Sequence, residues 1–466
     1  MLNFSSIYVD HVHYTWFGRQ QLSPLLSNIN LSVKRGEITA LVGGSGEGKS
    51  LLLQTALALL PDNLRMRGEI RLEGKAIDSR HCATLRGNTL CYIPQGVGSL
   101  NPLLTVGTQL KRSLHLSGRH TCALALEQQI KHYHLQHDIL LKYPRQLSGG
   151  MAKRILACNA ALGGARYILA DEITAWLDEP LAFQLLHQLR DLAAQGAGVL
   201  WVTHDLSLAA RFADRIVALS HGQISDDMVV NELKDGGGSA ALRRQWLALP
   251  EHQRLFSDEE NACPGRGRVM FSVSELTIEQ DNRPLWQNFS FELPAGERLG
   301  ISAPSGYGKT MLGRVLAGWQ SCRQGRITLD GLPLPKRGYC PVQLVPQHPE
   351  RTFNPFRTTG NALRDACSRM MNNWRVFHVN PEWLRRKPAQ LSGGELARIA
   401  LLRSLDPRTR VLIADEITAQ LDPSVQRDIW QQLIHESRRR GLSIIIFSHQ
   451  TALLEQISSR MMIASR

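Results

Sequence analysis

No apolar stretch in this 466-residue chain approaches the roughly 18 residues that a membrane-crossing helix needs. The opening MLNFSSIYVDHVHYTWF lacks the basic region and apolar core of a secretory signal. Neither membrane spanning nor secretion is expected, so work at a membrane would need a partner. Cysteine is sparse and unpatterned. The eight residues (82, 91, 122, 158, 263, 322, 340 and 367) form no CxxC and no metal-ligand spacing, which fits free thiols in a reducing compartment. Acidic side chains are in deficit, 41 against 54 basic ones, for a net charge of +13. That surplus suits polyphosphate, anionic lipid or nucleic acid without choosing among them. The HVH at 11–13 and HYH at 132–134 are read as solvated or packed histidines rather than metal ligands. What is present in quantity is core material: 43% hydrophobic residues, enough to bury two large domains or about three ordinary ones.

The chain repeats itself. GGSGEGKS at 43–50 returns as APSGYGKT at 303–310, and LSGG at 147–150 as LSGG at 391–394. LADEITAWLD at 169–178 returns as IADEITAQLD at 413–422, and VTHD at 202–205 as FSHQ at 447–450. Four motifs in one order mean a duplicated domain. The offset falls from 260 residues at the first motif to 244 or 245 at the others, so the second copy is 16 residues shorter in between. Between the copies, GGG at 236–238 and the acidic SDEENACPGRG at 257–267 read as breaks, with SAALRRQWLAL a short amphipathic helix between them. The domains are placed at 1–235 and 268–466, with a linker at 236–267. GEITALVG, RYILADE, GVLWVTH, RVLIADE and LSIIIFSH are apolar runs of strand length that end in polar residues. Alternating with helices, they predict an α/β fold with parallel sheets covered on both faces. Ligands of such sheets lie beyond the carboxyl ends of the strands.

The polar residues at those ends carry the chemistry. Gly43, Gly44, Ser45, Gly46, Glu47, Gly48, Lys49 and Ser50 form a phosphate loop between a strand and a helix. Its backbone N–H groups can close on phosphates, Lys49 can reach their oxygens and Ser50 can ligate Mg²⁺. The second loop is Ala303, Pro304, Ser305, Gly306, Tyr307, Gly308, Lys309 and Thr310. Its leading Ala is tolerable if φ is negative there. Asp171 and Asp415 are expected to hold Mg²⁺, and the adjacent Glu172 and Glu416 to polarise the attacking water as general bases. His204 and His449, 32 and 33 residues past those glutamates, can bond the γ-phosphate and hold that water. The two LSGG segments open helices. They offer Ser148, Gly149 and Gly150, and Ser392, Gly393 and Gly394, to an anion. A second anion site in a domain that already has a phosphate loop implies closure on a nucleotide held by the other copy.

With these motifs the chain closely resembles the ATP-binding-cassette ATPases along almost all of its length. The resemblance makes LSGGM and LSGGE the signature motifs, Gln95 and Gln347 the catalytic and Mg²⁺-contacting Q-loop glutamines, and Leu177–Asp178 and Leu421–Asp422 the D-loops. It implies two tandem P-loop domains. Each would carry a mostly parallel core sheet, an N-terminal antiparallel β-subdomain and a helical subdomain. The cofactors would be ATP and Mg²⁺. IPQGVGSLNPLLTVGTQL at 93–110, YPRQLSGGMAKR at 143–154 and VPQHPERTFNP at 345–355 look like the ATPases of oligopeptide, dipeptide and nickel importers. Those work at the cytoplasmic face of the cell membrane with two permease subunits and an extracytoplasmic binding protein. A Cys-ligated cluster is not expected, since only Cys263 lies near the relevant tail.

There are departures. Both copies read DEIT where the family has DEPT, a change expected to matter little. The adenine-stacking aromatic fits Tyr14 in the first copy, whereas the second offers Ile278 and no aromatic until Trp286. Together with Ala303, this leads to the expectation of a weaker second ATP site. Two other functions remain open. One is a soluble tandem cassette acting on ribosomes or DNA, although the linker is short and no zinc motif is present. The other is a regulatory subunit with little turnover, which Glu172 and Glu416 argue against. No nucleic-acid partner is expected.

Overall fold

The computed structural model describes residues 1–14, 19–44, 46–116, 123–175, 177, 179–252, 268–280, 283–303, 307–366, 377–419 and 421–464. It divides into two compact units, Met1–Trp246 and Leu247–Arg466.

The apolar runs become central strands. In the first unit a six-stranded sheet runs Gln223–Val229, Arg215–Ser220, Ile38–Gly43, Gly198–Val202, Tyr167–Asp171, Leu90–Ile93 from edge to edge. All its pairings are parallel except the first. In the second unit five strands run Val342–Val345, Val411–Asp415, Ser443–Phe447, Arg298–Ser302, Arg460–Ile463, all parallel. Period-2 alternation explains why these strands are apolar throughout. Leu412, Ala414, Ile444 and Ile446 enter one core cluster, while Val411, Ile413 and Ile445 enter another. Each face of the sheet therefore has its own core, and every residue of Val411–Asp415 is buried.

Each unit also has a four-stranded antiparallel sheet. Its two long strands are Leu2–Tyr14 and Gln20–Val33 in the first copy, and Val269–Gln280 and Arg283–Pro294 in the second. The copies share a bulge here. Ser6 (φ 48°) lies against Gly68, and Glu275 (φ 51°) against Gly325. A Cβ on Gly68 would meet Ser6 O at 2.3 Å, and one on Gly325 would meet Leu276 Cα at 2.6 Å, so only glycine fits opposite the bulge. Matching the bulges makes Ile278 the counterpart of Val9, not of Tyr14. Both are core residues, 2% and 0% exposed. This corrects the expectation from sequence: Ile278 cannot face a base, and it gives no reason for a weaker second site. Trp286 is also buried, packed edge-on to Tyr307 with its Nε1 donating to Gly308 O at 3.2 Å.

The segment Ala240–Leu247 is a helix, as its pattern predicts. Asp226, buried at the edge of the main sheet, accepts from Ser239 N at 2.5 Å and Ser239 Oγ at 2.8 Å. Ser239 Oγ in turn accepts from Leu242 N. The helix is tied to the first unit by its N-terminus and by the buried Leu242. Cys122, Cys263 and Cys367 lie outside the described residues, while Cys82, Cys91 and Cys158 are free and buried.

Candidate active site

The strand Ile38–Gly43 ends where it must turn sharply into the helix Lys49–Ala56. Gly43 has φ 153°, and a Cβ there would meet Leu219 O at 2.4 Å. Gly48 caps the helix at φ 93°, in the left-handed region. The second copy repeats the turn, with Gly308 at φ 90° before the helix Lys309–Leu316. Ala303 is absent from the positive-φ residues, so the loop has changed its backbone where it has gained a Cβ. Ser45, Pro304, Ser305 and Gly306 lie outside the described residues, as does the side chain of Tyr14.

The loop lysines are buried and lie across the carbonyls of their own loops. Lys49 Nζ donates to Gly43 O at 2.9 Å and Gly44 O at 2.7 Å. Lys309 Nζ donates to Ala303 O at 2.6 Å and pairs with Glu416 at 3.4 Å. Next along each helix, Ser50 Oγ donates to Asp171 Oδ1 at 2.9 Å, and Thr310 hydrogen-bonds Asp415. Residues far apart in sequence therefore meet at the carboxyl ends of strands that flank a common neighbour, Gly198–Val202 in the first copy and Ser443–Phe447 in the second.

The glutamates show the closest agreement between copies. Glu172 and Glu416 both have positive φ, 44° and 49°. Their N–H groups donate across to Val202 O and Phe447 O, both at 3.0 Å. Gln95 Nε2 donates to one oxygen of Glu172, while His204 Nδ1 lies 3.6 Å from the other. Gln347 Nε2 donates to Glu416 at 2.8 Å, and His449 Nδ1 lies 3.4 Å away. Burial works to raise both glutamate pKa values, but the histidine bond and charge and the loop lysine outweigh it. Both carboxyls sit below their usual range and are ionised at neutral pH, the form in which a carboxylate accepts a proton.

The neighbouring aspartates move the other way. Burial raises Asp171 against the bonds from Ser50 and Tyr92, and pushes Asp415 up to about 6 against the bond from Thr310. Asp415 Oδ2 is buried and accepts no hydrogen bond from any described residue. An anionic oxygen in that position, beside a threonine hydroxyl and a phosphate loop, fits the water shell of a divalent cation.

Two residues that sequence reasoning missed complete the first site. Tyr92 OH donates to Asp171 Oδ2 at 3.1 Å. Lys153, 3% exposed, donates to Glu172 O at 3.3 Å and to Ala175 O. Burial lowers the Lys153 pKa to about 8 against the pull of Glu172. The only sequence signal for Lys153 is a cation on the otherwise apolar helix face of Ala152–Ala157.

The LSGG segments are not part of their own unit's constellation. Ser148 caps the helix Gly149–Leu162 and Ser392 the helix Gly393–Ser404, each accepting a bond at 3.3 Å from the residue three on. Both serines are exposed. A Cβ on Gly149 or Gly393 would meet nothing within 4 Å, so the described fold does not itself require glycine there. Gly150 and Gly394 would meet only leucine and valine side chains at 3.4–3.5 Å. Of the D-loop residues, Leu177 is buried and Asp178 lies outside the described residues. Asp422 caps the helix Pro423–Arg440.

The ABC transporter family pattern matches residues 26–175 and 286–419. The chain belongs to that family. Its two matched regions contain the phosphate loops, signature segments and Asp–Glu pairs just described, so the protein is an ATP-binding ATPase. The chain is 30% identical to the uncharacterized ABC transporter ATP-binding protein YejF of Escherichia coli K12, over 96% of this chain and 91% of that one. It is 28% identical to the glutathione import ATP-binding protein GsiA of Pectobacterium atrosepticum, over 94% of this chain and 81% of that one. Among solved structures it resembles one titled RNase-L Inhibitor, with a TM-score of 0.66 over 98% of this chain and 88% of that one. At 21% identity, that likeness is one of fold alone.

Proposed function

We propose that this chain is the ATP-hydrolysing subunit of an importer, peripheral to the cytoplasmic face of the membrane, with peptides, nickel or metal chelates as the substrate class. The observation that carries ATP turnover is the twice-built clamp of an ionised glutamate between a glutamine and a histidine. In each site the glutamate accepts a proton from water as its oxygen attacks the γ-phosphorus, and ADP leaves. His204 and His449 hold the water and the γ-phosphate. Ser50 with Asp171, and Thr310 with Asp415, would hold Mg²⁺, which supplies charge neutralisation on the phosphate oxygens. The exposed LSGG helix ends support shared sites: Lys49, Ser50, Gln95, Asp171, Glu172 and His204 act with Ser392–Gly394, and the second set acts with Ser148–Gly150. Glu172→Gln and Glu416→Gln are each expected to keep ATP binding and to cut hydrolysis at that site by about 10²-fold or more. Double-mutant turnover near the parent rate contradicts the assignment.

Import is supported by the likeness to the glutathione import protein GsiA and by a surface feature of both copies. No helix among the described residues is long and apolar enough to cross a membrane, and this reading assigns the transport path to other subunits. Just past each Q-loop, Leu103 and Phe356 are each 83% exposed at matching places, Asn-Pro-Leu and Asn-Pro-Phe. An exposed large apolar residue 8 or 9 positions past the Q-loop glutamine suits the docking of a permease helix. The test is co-expression with candidate permease pairs. The reading expects co-purification, and loss of it on Leu103→Asp with Phe356→Asp. Salt-sensitive association with ribosomes and none with permeases would favour the ribosomal alternative.

A further inference from the structure

The two sites differ at one point beneath the cation position. In the first, both oxygens of Asp171 are held, Oδ1 by Ser50 at 2.9 Å and Oδ2 by Tyr92 at 3.1 Å. Tyr92 belongs to YIPQ, and the matching residue of LVPQ is Leu344, which is buried and has no donor. Asp415 Oδ2 is accordingly buried with no hydrogen-bond partner among the described residues. We infer that Tyr92 is a positioning residue that partly satisfies the first site's aspartate, so that nucleotide binding depends more strongly on Mg²⁺ at the second site than at the first.

The argument is one of linkage. A buried acceptor without a donor is costly, and that cost is relieved when a donor arrives. A cation's water shell brings donors. At Asp415 it relieves an unmet oxygen, whereas at Asp171 it meets one already bonded to a phenol. The gain on binding the hydrated cation is therefore larger at Asp415. Because Mg²⁺ and ATP bind together, their coupling is larger there too, and the coupling is reciprocal.

The inference rests on reading both sites as Mg²⁺–ATP sites, and the experiment separates the two claims. In the full-length chain, Lys309→Ala isolates the first site and Lys49→Ala the second. Equilibrium binding of a fluorescent mant-ATP is measured in excess Mg²⁺ and in EDTA, and the ratio of the two Kd values is taken. The second site is expected to show a ratio at least about fivefold larger, the low end of what one unmet buried acceptor implies. Tyr92→Phe, which removes only the hydroxyl, should raise the first site's ratio toward the second's. The change should lie in its Mg²⁺-bound Kd, with the Kd in EDTA staying within about twofold, a pattern that a merely structural defect would not give. Leu344→Tyr, where it folds, should lower the second site's ratio. An unchanged ratio in Tyr92→Phe overturns the inference, and so do equal ratios at the two parent sites. Absence of mant-ATP binding in both backgrounds would instead remove the reading of the sites, and the inference with it.

Discussion

Glu172 and Glu416 hold backbone angles that L-residues avoid, at a cost of about 1–3 kcal/mol each. The strain recurs at the same place in both copies, where it turns the carboxylate toward its glutamine and histidine. Their neighbours Asp171 and Asp415 are held against burial instead. Burial pushes the Asp415 carboxyl up to about 6, above its ordinary value of 3.8. A raised folded pKa gives stability that is present below about pH 4 and lost as pH rises through about 6. Asp415→Asn, which cannot ionise, should therefore melt higher than the parent at pH 7.5 without nucleotide or Mg²⁺. A gain of about 1–3 kcal/mol is expected, shrinking toward pH 4.5. Thermal melts across that range check it, and a difference independent of pH would contradict it. The residues named from motifs, Lys49, Asp171, Glu172 and His204, were legible because one family pattern spaces them. Tyr92 and Lys153 were not. Their role lies in the atom each one reaches, and nothing in YIPQ or MAKR announces that atom.

Strands and helices followed the sequence where burial decides and departed from it where backbone geometry does. The fully apolar runs became the central parallel strands because both faces of each sheet are covered. The pairing of Ile278 with Tyr14 failed for a local reason. The bulges at Ser6 and Glu275 fix which residues correspond, and they match Ile278 to Val9, five positions short of Tyr14. Ala303 succeeded by the opposite route, since a changed backbone made room for its Cβ. The helix Ala240–Leu247 depends on Asp226 in the same particular way. Asp226→Ala removes the acceptor from Ser239 N and Oγ, at a cost of about 1–3 kcal/mol. Trypsin cleavage after Arg243 or Arg244 should then speed up at least about fivefold in limited proteolysis. Cleavage at the parent rate would show that the helix is held by Leu242 alone.

At the scale of the whole chain, duplication is the governing fact. Each unit carries a phosphate loop, a hydroxyl–aspartate pair and a clamped glutamate, and each also presents an LSGG helix end that its own constellation leaves unused. The family match covers both copies, and the relatives YejF and GsiA align along nearly all of this chain. The central claim is that each nucleotide is shared between the phosphate loop of one copy and the signature of the other. The most direct measurement is cysteine cross-linking in a Glu172→Gln, Glu416→Gln background that retains ATP. Glu47→Cys is paired with Ser392→Cys, and Tyr307→Cys with Ser148→Cys, under Mg²⁺–ATP and without it. A short bismaleimide should join both pairs within one chain when ATP is bound, and join neither Glu47→Cys with Ser148→Cys nor Tyr307→Cys with Ser392→Cys. Cross-links confined to the same-copy pairs, or none that depend on ATP, would contradict shared sites.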